Sequence, residues 1–215
     1  MVNPHKDSAM LTPWITVALP LIALYIVFWV WYGGDGKPMT PDEITAGLLK
    51  LQATDTSDHG KAAVADVQQL LASDDGKEFI MQNLVRYRPK ALYPPGYHYS
   101  DDPREADKRY GKSILWDLLS NGNLMLFIGR RSGDFFVPEG ADAWHYVAMV
   151  RYRSRRDFLK FALQANQADK FVHKWAAIEK THVFPVKPVL SLFAVRTLVA
   201  LLLFTLGTLV LKAMA

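Results

Sequence analysis

The sequence contains no cysteine, which excludes disulfide bonds, thiol catalysis and metal centres with cysteine ligands. Its six histidines include no pair at a metal-ligand spacing such as HxxxH, so zinc and non-haem iron sites have no local support. Charge is missing from two long stretches: residues 11–32 carry none, and residues 189–211 carry only Arg196. The lack of charge in these two stretches makes each of them a candidate membrane-spanning helix.

Residues 11–32 have the length and composition of a transmembrane helix. At a rise of about 1.5 Å per residue they match a hydrocarbon core of about 30 Å. Trp14 lies near one end and Trp29, Trp31 and Tyr32 lie at the other, which is typical of an aromatic belt. A cleaved signal peptide is the alternative, but it requires a shorter apolar run and small residues at the cleavage site. We therefore predict a retained helix.

Residues 189–211 form a second run of spanning length. Arg196 lies about a third of the way along it, where a charge is costly. We expect this side chain either to reach lipid headgroups or to pair with an acid on a neighbouring helix. Gly207, with Thr205 and Thr208, offers a small patch for close helix packing.

Two spans place both termini on one side of the membrane and the middle of the chain on the other. Lys6 and Lys212 flank the terminal side, whereas Lys37, Lys180 and Lys187 flank the other. The positive-inside rule then favours a cytoplasmic domain. We predict a two-pass protein of a bacterial-type inner (plasma) membrane, with short tails at 1–10 and 212–215.

The middle of the chain holds 22 of the 25 Lys/Arg and 20 of the 21 Asp/Glu, so its excess of positive charge is slight. Nucleic-acid binding calls for a concentrated basic face, and we predict no such partner. The densest positive patch contains Arg151, Arg153, Arg155 and Arg156. It has two interpretations: a solvated surface, or a contact with anionic headgroups or an acidic partner.

Residues 33–77 read as a Gly/Pro-rich linker followed by a helical hairpin. Thr40, Pro41 and Glu43 have the pattern of a capping box at the start of the first helix. Apolar residues at helical spacing predict a second helix over 61–73. We expect a collar between the membrane and the domain, and its polarity is also compatible with a lever that moves.

Residues 78–188 have the pattern of one mixed domain. Strands are predicted over 78–89, 124–130, 143–152 and 181–186, and helices over 105–119, after Ser154, and over 169–180. This order, β-α-β-β-α-β, predicts an α+β, ferredoxin-like domain with an antiparallel sheet and helices on one face. The strands are apolar on both sides, so the other face must also be covered, and we expect a second sheet there.

Four segments carry a family resemblance: NLVRYRP (83–89), RYGK (109–112), the second strand (127–130) and WHYVAMVRYRSRRDFLKF (144–161). They resemble the dimeric α/β-barrel superfamily, and most of all a small family of unknown function within it, although that family's turn has proline where Arg153 stands. The resemblance implies a ferredoxin-like fold and pairing of two sheets into a barrel. Relatives include monooxygenases, lactone isomerases, haem enzymes and domains without known chemistry, so it implies no single activity.

The candidate catalytic residues are His145, Arg86, Asn83 and Tyr110. A general base beside an anion-binding arginine in an apolar barrel would form an enzyme pocket, but each residue also fits a structural role in the sheet or core. Haem needs one axial histidine, and a lone His145 or His173 does not specify it. We predict no cofactor and no metal.

These observations favour a non-catalytic accessory or scaffolding subunit of an inner-membrane complex. Its expected partners are the bilayer and other integral membrane subunits, of which a transporter is one candidate, in a homo- or hetero-oligomer. Two loops rich in proline and aromatic residues suit such interfaces. The alternative is a membrane-tethered enzyme of the monooxygenase or isomerase kind that acts on a small lipophilic compound. A third option is a homo-oligomer that binds an apolar ligand without chemistry.

Overall fold

A computed structural model describes residues 4–54, 58–191 and 193–214. The chain divides into two compact units, one formed by residues 1–34 with 189–215 and the other by residues 35–188. The described residues form seven helices and four strands: α1 Pro4–Gly33, α2 Pro41–Thr54, α3 Asp58–Ala72, β1 Phe79–Tyr87, α4 Pro103–Ser120, β2 Leu124–Arg130, β3 Tyr146–Tyr152, α5 Arg155–Ala165, α6 Ala168–Ala177, β4 Ile178–Val186 and α7 Val195–Met214.

The first unit is a pair of helices, α1 and α7, which pack against each other. Two helical stretches, Pro13–Gly33 and Val195–Met214, are long and apolar enough to cross a membrane. Gly207 is buried where the two helices approach, and a Cβ atom added there would lie only 2.9 Å from Cδ1 of Leu21. The small residue that the sequence indicated for close packing therefore lies at the helix contact.

The start of α7 differs from the prediction. The helix begins at Val195 rather than at residue 189, so Arg196 lies in its first turn and not a third of the way along. Just before it, the hydroxyl of Ser191 accepts a hydrogen bond from the backbone N–H of Phe193 (3.1 Å), an arrangement that competes with helix formation.

The second unit contains a four-stranded antiparallel sheet with the strand order β2-β3-β1-β4. The chain is therefore of the mixed α+β class. Residues on one face of β1 and β3 form the core with α4 and α5; this core consists of Phe79, Met81, Leu118, Val150, Tyr152, Phe161 and Ala165. A second buried cluster joins Val85 of β1 to Ala106 of α4 and Ala176 of α6. The helices α4, α5 and α6 thus cover the same face of the sheet.

The opposite face, which we call the open face, is defined by Leu84, Phe127, Val147, Met149 and Phe184. Strand register places these side chains together, because Leu84 pairs with Val147, and Phe127 pairs with Met149. Phe127 is 41% exposed, and the other four are only partly buried. An apolar surface therefore remains accessible on this side of the sheet.

The hairpin of α2 and α3 packs on α5 and belongs to the same unit as the sheet. Met39, Leu71 and Leu159 form a buried cluster between them. The predicted capping box is confirmed, because the backbone N–H of Thr40 donates to Glu43 Oε2 (2.7 Å) and the N–H of Glu43 donates to Thr40 Oγ1 (3.2 Å).

The predicted starts of β3 and β4 are each wrong by three residues, and β1 ends at Tyr87 rather than at residue 89. The strand β3 begins at Tyr146 rather than at residue 143, and β4 begins at Ile178 rather than at residue 181, because α6 already ends at Ala177. The backbone of residues 178–180 pairs with the end of β1, a long-range interaction that helical periodicity does not reveal.

Candidate functional site

His145 lies just before β3, on the exposed edge of the domain. Its Nδ1 accepts a hydrogen bond from the backbone N–H of Tyr87 (2.9 Å), and its ring stacks on the Tyr87 ring with centroids 5.6 Å apart. Because a backbone N–H can only donate, the neutral imidazole must carry its proton on Nε2. In its neutral form His145 therefore offers a hydrogen-bond donor to a bound group.

Arg86 forms ion pairs with Asp142 (3.3 Å) and with Glu179 (3.1 Å). Asp142 also pairs with Lys180 (2.6 Å). Lys180, and secondarily Arg86, lower the pKa of the Asp142 carboxyl, so this group stays ionised. The charge of Arg86 is thus compensated within the domain.

Asn83 and Tyr110 lie on the helix-covered side of the sheet. The amide of Asn83 donates to the backbone oxygens of Met81 (3.0 Å) and Ala148 (3.4 Å). Burial raises the pKa of Tyr110, whose ring contacts Phe171 of α6 edge-on, with centroids 6.4 Å apart. In the part of the chain that is described, the contacts of these two residues include neither His145 nor Arg86. The four predicted catalytic residues do not converge on one site.

Most arginines of the positive patch make contacts within the domain, and two of them are buried. Arg151 and Arg155 are only 3% and 4% exposed. Arg151 pairs with Glu78 and donates to the backbone oxygen of Gly122 (3.0 Å). Two of the four arginines of this patch are therefore buried and cannot form a surface for lipid or a partner.

Arg153 and Arg156 lie nearer the surface, but they also make contacts within the domain. Arg153 pairs with Asp157 (2.7 Å), which helps to lower the pKa of that carboxyl. Arg156 pairs with Asp35 (2.9 Å) and Glu43 (3.1 Å), and so ties the linker and α2 to α5. A role for these two residues in partner or membrane contact stays a prediction.

A polar cluster that the sequence did not reveal lies between β1, β3, α4 and α6. Asp107 of α4 accepts hydrogen bonds from the hydroxyls of Tyr87 (2.8 Å) and Tyr146 (3.4 Å). Burial raises the pKa of Asp107, and burial lowers the pKa of Lys174 to about 8. The Lys174 ammonium also lies 5.0 Å from the ring centre of Phe171.

In the sequence, only one feature could have indicated this cluster: Asp107 lies three residues before Tyr110, so both residues share one face of α4. The cluster resembles a set of buried groups with perturbed pKa values, which is a common feature of functional sites and also of structural networks. The partners of Asp107 and Lys174 are side chains of the domain itself, which favours the structural role.

A second cluster packs the loop after β1 against α4 and α6. The hydroxyl of Tyr93 hydrogen-bonds to Nδ1 of His173 (2.9 Å), and the guanidinium of Arg109 lies 4.8 Å from the ring centre of Tyr99. Burial, and then the charge of Arg109, lower the pKa of His173. These contacts hold the aromatic loop on the helices.

A groove of about 440 Å³ lies between the open face and the β2–β3 loop. Its apolar lining includes Leu84, Phe127 and Val147 from the sheet, and Phe135, Phe136 and Val137 from the loop. Phe135 and Phe136 are 85% and 88% exposed, and Phe136 has a positive φ of 49°, a conformation that costs energy in a bulky residue. The loop thus displays two adjacent phenyl rings beside an apolar depression.

A smaller pocket of about 290 Å³ adjoins this groove. It is lined by Arg104, Arg130, Arg131, Gly133, Ala143, Trp144 and His145. Four of these residues also line the apolar groove. A basic pocket therefore lies beside the apolar groove. Among the described residues, no group of three histidine, aspartate or glutamate side chains could hold a metal ion.

No protein-family model matches the chain, and no curated protein matches it significantly. Two solved structures are similar to it. The crystal structure of methylated RPA0582 protein has a TM-score of 0.52 and 25% identity over 64% of this chain and 95% of that chain. The RPA0582 protein of unknown function from Rhodopseudomonas palustris has a TM-score of 0.52 and 24% identity over 64% of this chain and 98% of that chain. The similarity concerns fold and assigns no activity.

Proposed function

We propose that this protein is a two-pass inner-membrane subunit with an accessory or scaffolding role, whose α+β unit docks on a second copy or on a partner. The observation that carries the proposal is the open face. Apolar side chains of β1, β2, β3 and β4 stay accessible there, while three helices cover the other side of the sheet. A sheet with one uncovered apolar face gains stability when a partner covers that face.

Membrane insertion is supported by the exposure of the apolar side chains on the two long helices. Ile26 of α1 and Leu202 of α7 are 56% and 60% exposed, as are many of their neighbours. A core helix of a soluble protein would bury such side chains in protein, whereas a spanning helix presents them to lipid.

A ferredoxin-like domain of the dimeric α/β-barrel kind is the form we propose for the second unit. The strand order β2-β3-β1-β4, with α4 after β1 and α5 after β3, supports this topology. In such a barrel the open face would pack against the sheet of a second chain.

The accessory role is favoured over the enzyme role because three of the four candidate catalytic side chains are occupied by structural contacts. Arg86 pairs with two acids, Asn83 bonds to backbone oxygens, and Tyr110 packs against α6. The structural role thus accounts for each of these three without a substrate.

A charge placed on either face of β2 tests the pairing. Phe127→Asp places a carboxylate on the open face, whereas Ile128→Asp places one on the next residue, which is 60% exposed on the opposite face. Native mass measurement of the full chain in a mild detergent should show an oligomer for the wild type and Ile128→Asp, and a monomer for Phe127→Asp. A monomeric wild type, or an oligomer that persists in Phe127→Asp, contradicts the pairing.

Extraction in the same detergent distinguishes the accessory role from the enzyme role. We expect a larger membrane protein to co-purify at a fixed stoichiometry, and to do so equally with His145→Ala and Arg86→Ala. Turnover of a lipophilic compound that is lost in these two variants, while assembly persists, would instead support the enzyme.

A further inference from the structure

The apolar groove and the basic pocket lie side by side, because Arg130, Arg131, Gly133 and Trp144 line both. Hydrocarbon side chains line the first, and arginine and histidine line the second. We call the two together the amphipathic groove, with an apolar end and a basic end. Its volume at the apolar end is within the range of ordinary small-molecule sites.

The basic end carries positive charge that is not neutralised locally. Arg131 pairs with Asp134, but no ion pair to Arg104 or Arg130 is found among the residues that the structure describes. The smaller pocket has no carboxylate in its lining. The other acid along the groove, Asp142, is already paired with Arg86 and Lys180.

The two unneutralised arginines converge although they come from different elements, α4 and β2. Both exert their positive charge on Tyr87, where they oppose the rise in its pKa that burial and Asp107 cause. His145, which lines the same pocket, stacks on the Tyr87 ring. Since Nδ1 of His145 accepts from the backbone N–H of Tyr87, the neutral ring carries its donor on Nε2.

We propose that the amphipathic groove binds an amphipathic acid, with its carboxylate or phosphate at Arg104, Arg130 and His145 and its hydrocarbon chain against the apolar lining. Guanidinium groups suit both headgroups, because they donate paired hydrogen bonds to two oxygens. The apolar lining comprises Leu84, Phe127, Phe135, Phe136, Val137 and Val147. Every wall comes from a single chain, and the site goes beyond the accessory role. Leu84, Phe127 and Val147 also belong to the open face, so the groove would lie inside the barrel in a dimer and at the surface in a monomer.

Binding can be measured by native mass spectrometry of the full chain released from non-ionic detergent micelles. The probes are octanoate and octyl phosphate, with inorganic phosphate as the headgroup alone and octan-1-ol as the chain alone. We expect one octanoate or octyl phosphate per chain, and the tighter of the two identifies the headgroup. Arg104→Gln and Arg130→Gln should each weaken binding by roughly tenfold, the loss of one charge-assisted hydrogen bond.

Lys108→Gln is the matched control, because it removes an exposed positive charge one turn further along α4. It should leave the affinity unchanged. Equal binding of octan-1-ol and octanoate, unchanged affinity in the two arginine variants, or tight binding of inorganic phosphate alone would overturn the proposal. The same spectra report the oligomer mass, so a monomer that still binds octanoate separates this result from a failure of sheet pairing.

Discussion

The guanidinium of Arg196 lies 4.4 Å from the centre of the Trp29 ring, and the Tyr32 ring centre is 5.0 Å away. The only charge in the second apolar run is therefore held against the electron-rich faces of two aromatic rings of α1. A cation–π contact of this kind contributes about 0.5–2 kcal/mol, depending on how far it is desolvated. It joins the first turn of α7 to the last turns of α1. Contact of Arg196 with headgroups or an acid stays a prediction.

A double-mutant cycle tests this contact. Arg196→Met and Trp29→Leu should each lower the stability of the full chain in mixed micelles, and the double variant should lose about 1 kcal/mol less than the sum. Trp14→Leu is the control, since Trp14 is 58% exposed on the same helix. Strict additivity of the two changes would show that the contact contributes nothing.

Arg155 should matter far more to stability than its neighbour Arg156. Arg155 is buried, donates to the backbone oxygen of Leu70 (2.9 Å) and pairs with Asp75 (3.2 Å). Arg155→Met removes these charge-assisted hydrogen bonds from the core and should cost about 1.5–3 kcal/mol, whereas Arg156→Met, whose partners are more exposed, should cost at most about 1 kcal/mol. Chemical unfolding of the full chain in detergent, followed by circular dichroism, measures both. Equal losses would contradict the assignment of Arg155 to the core.

Lys174 should make the protein more stable as the pH rises from about 8 towards 10. Burial lowers its pKa from 10.5 to about 8 in the folded state. In this window the unfolded chain binds a proton at Lys174 that the folded chain has released, so the free energy of unfolding increases with pH. Near pH 10 the tyrosines of the unfolded chain begin to ionise and oppose the trend.

Lys174→Met removes this titration. The variant should be more stable than the wild type at pH 8 and should lack the rise between pH 8 and 10. Lys108→Met, at an exposed position, should retain the rise. A wild-type stability that falls steadily over this window would contradict the lowered pKa.

The absence of native cysteine makes the orientation of the chain easy to test. Leu92 is 68% exposed in the second unit, and Ser8 precedes the first apolar run. If the lysine distribution sets a cytoplasmic domain, a membrane-impermeant maleimide should label Ser8→Cys in intact cells and label Leu92→Cys only after lysis. The reverse pattern would place the domain on the outer side of the membrane.

Some features needed only local sequence. The bounds of β2 are those predicted from the sequence, and the hydroxyl of Ser154 caps α5 by accepting from the N–H of Asp157 (3.1 Å). The length of each of the two apolar runs likewise predicts a long apolar helix. Each of these features depends on residues within a few positions of one another, so composition and spacing suffice to predict them.

The site-level features needed the tertiary structure. The two tyrosines that bond to Asp107 are 20 and 39 residues away in sequence, and the partners of Arg155 on α3 and the following turn are 80 to 85 residues away. The same arginine looked like a surface cation in sequence because nothing local shows which chain segments will cover it.

The sequence by itself thus determined the two long apolar helices, the α+β pattern between them and the lack of thiol chemistry. Only the tertiary structure decided that Arg155 lies in the core, that Arg196 meets aromatic rings, and that Arg104 and His145 share a groove. The physical reason is that burial and charge pairing depend on which distant segments meet. A local pattern predicts the elements, but it does not contain the register and packing that bring their side chains together.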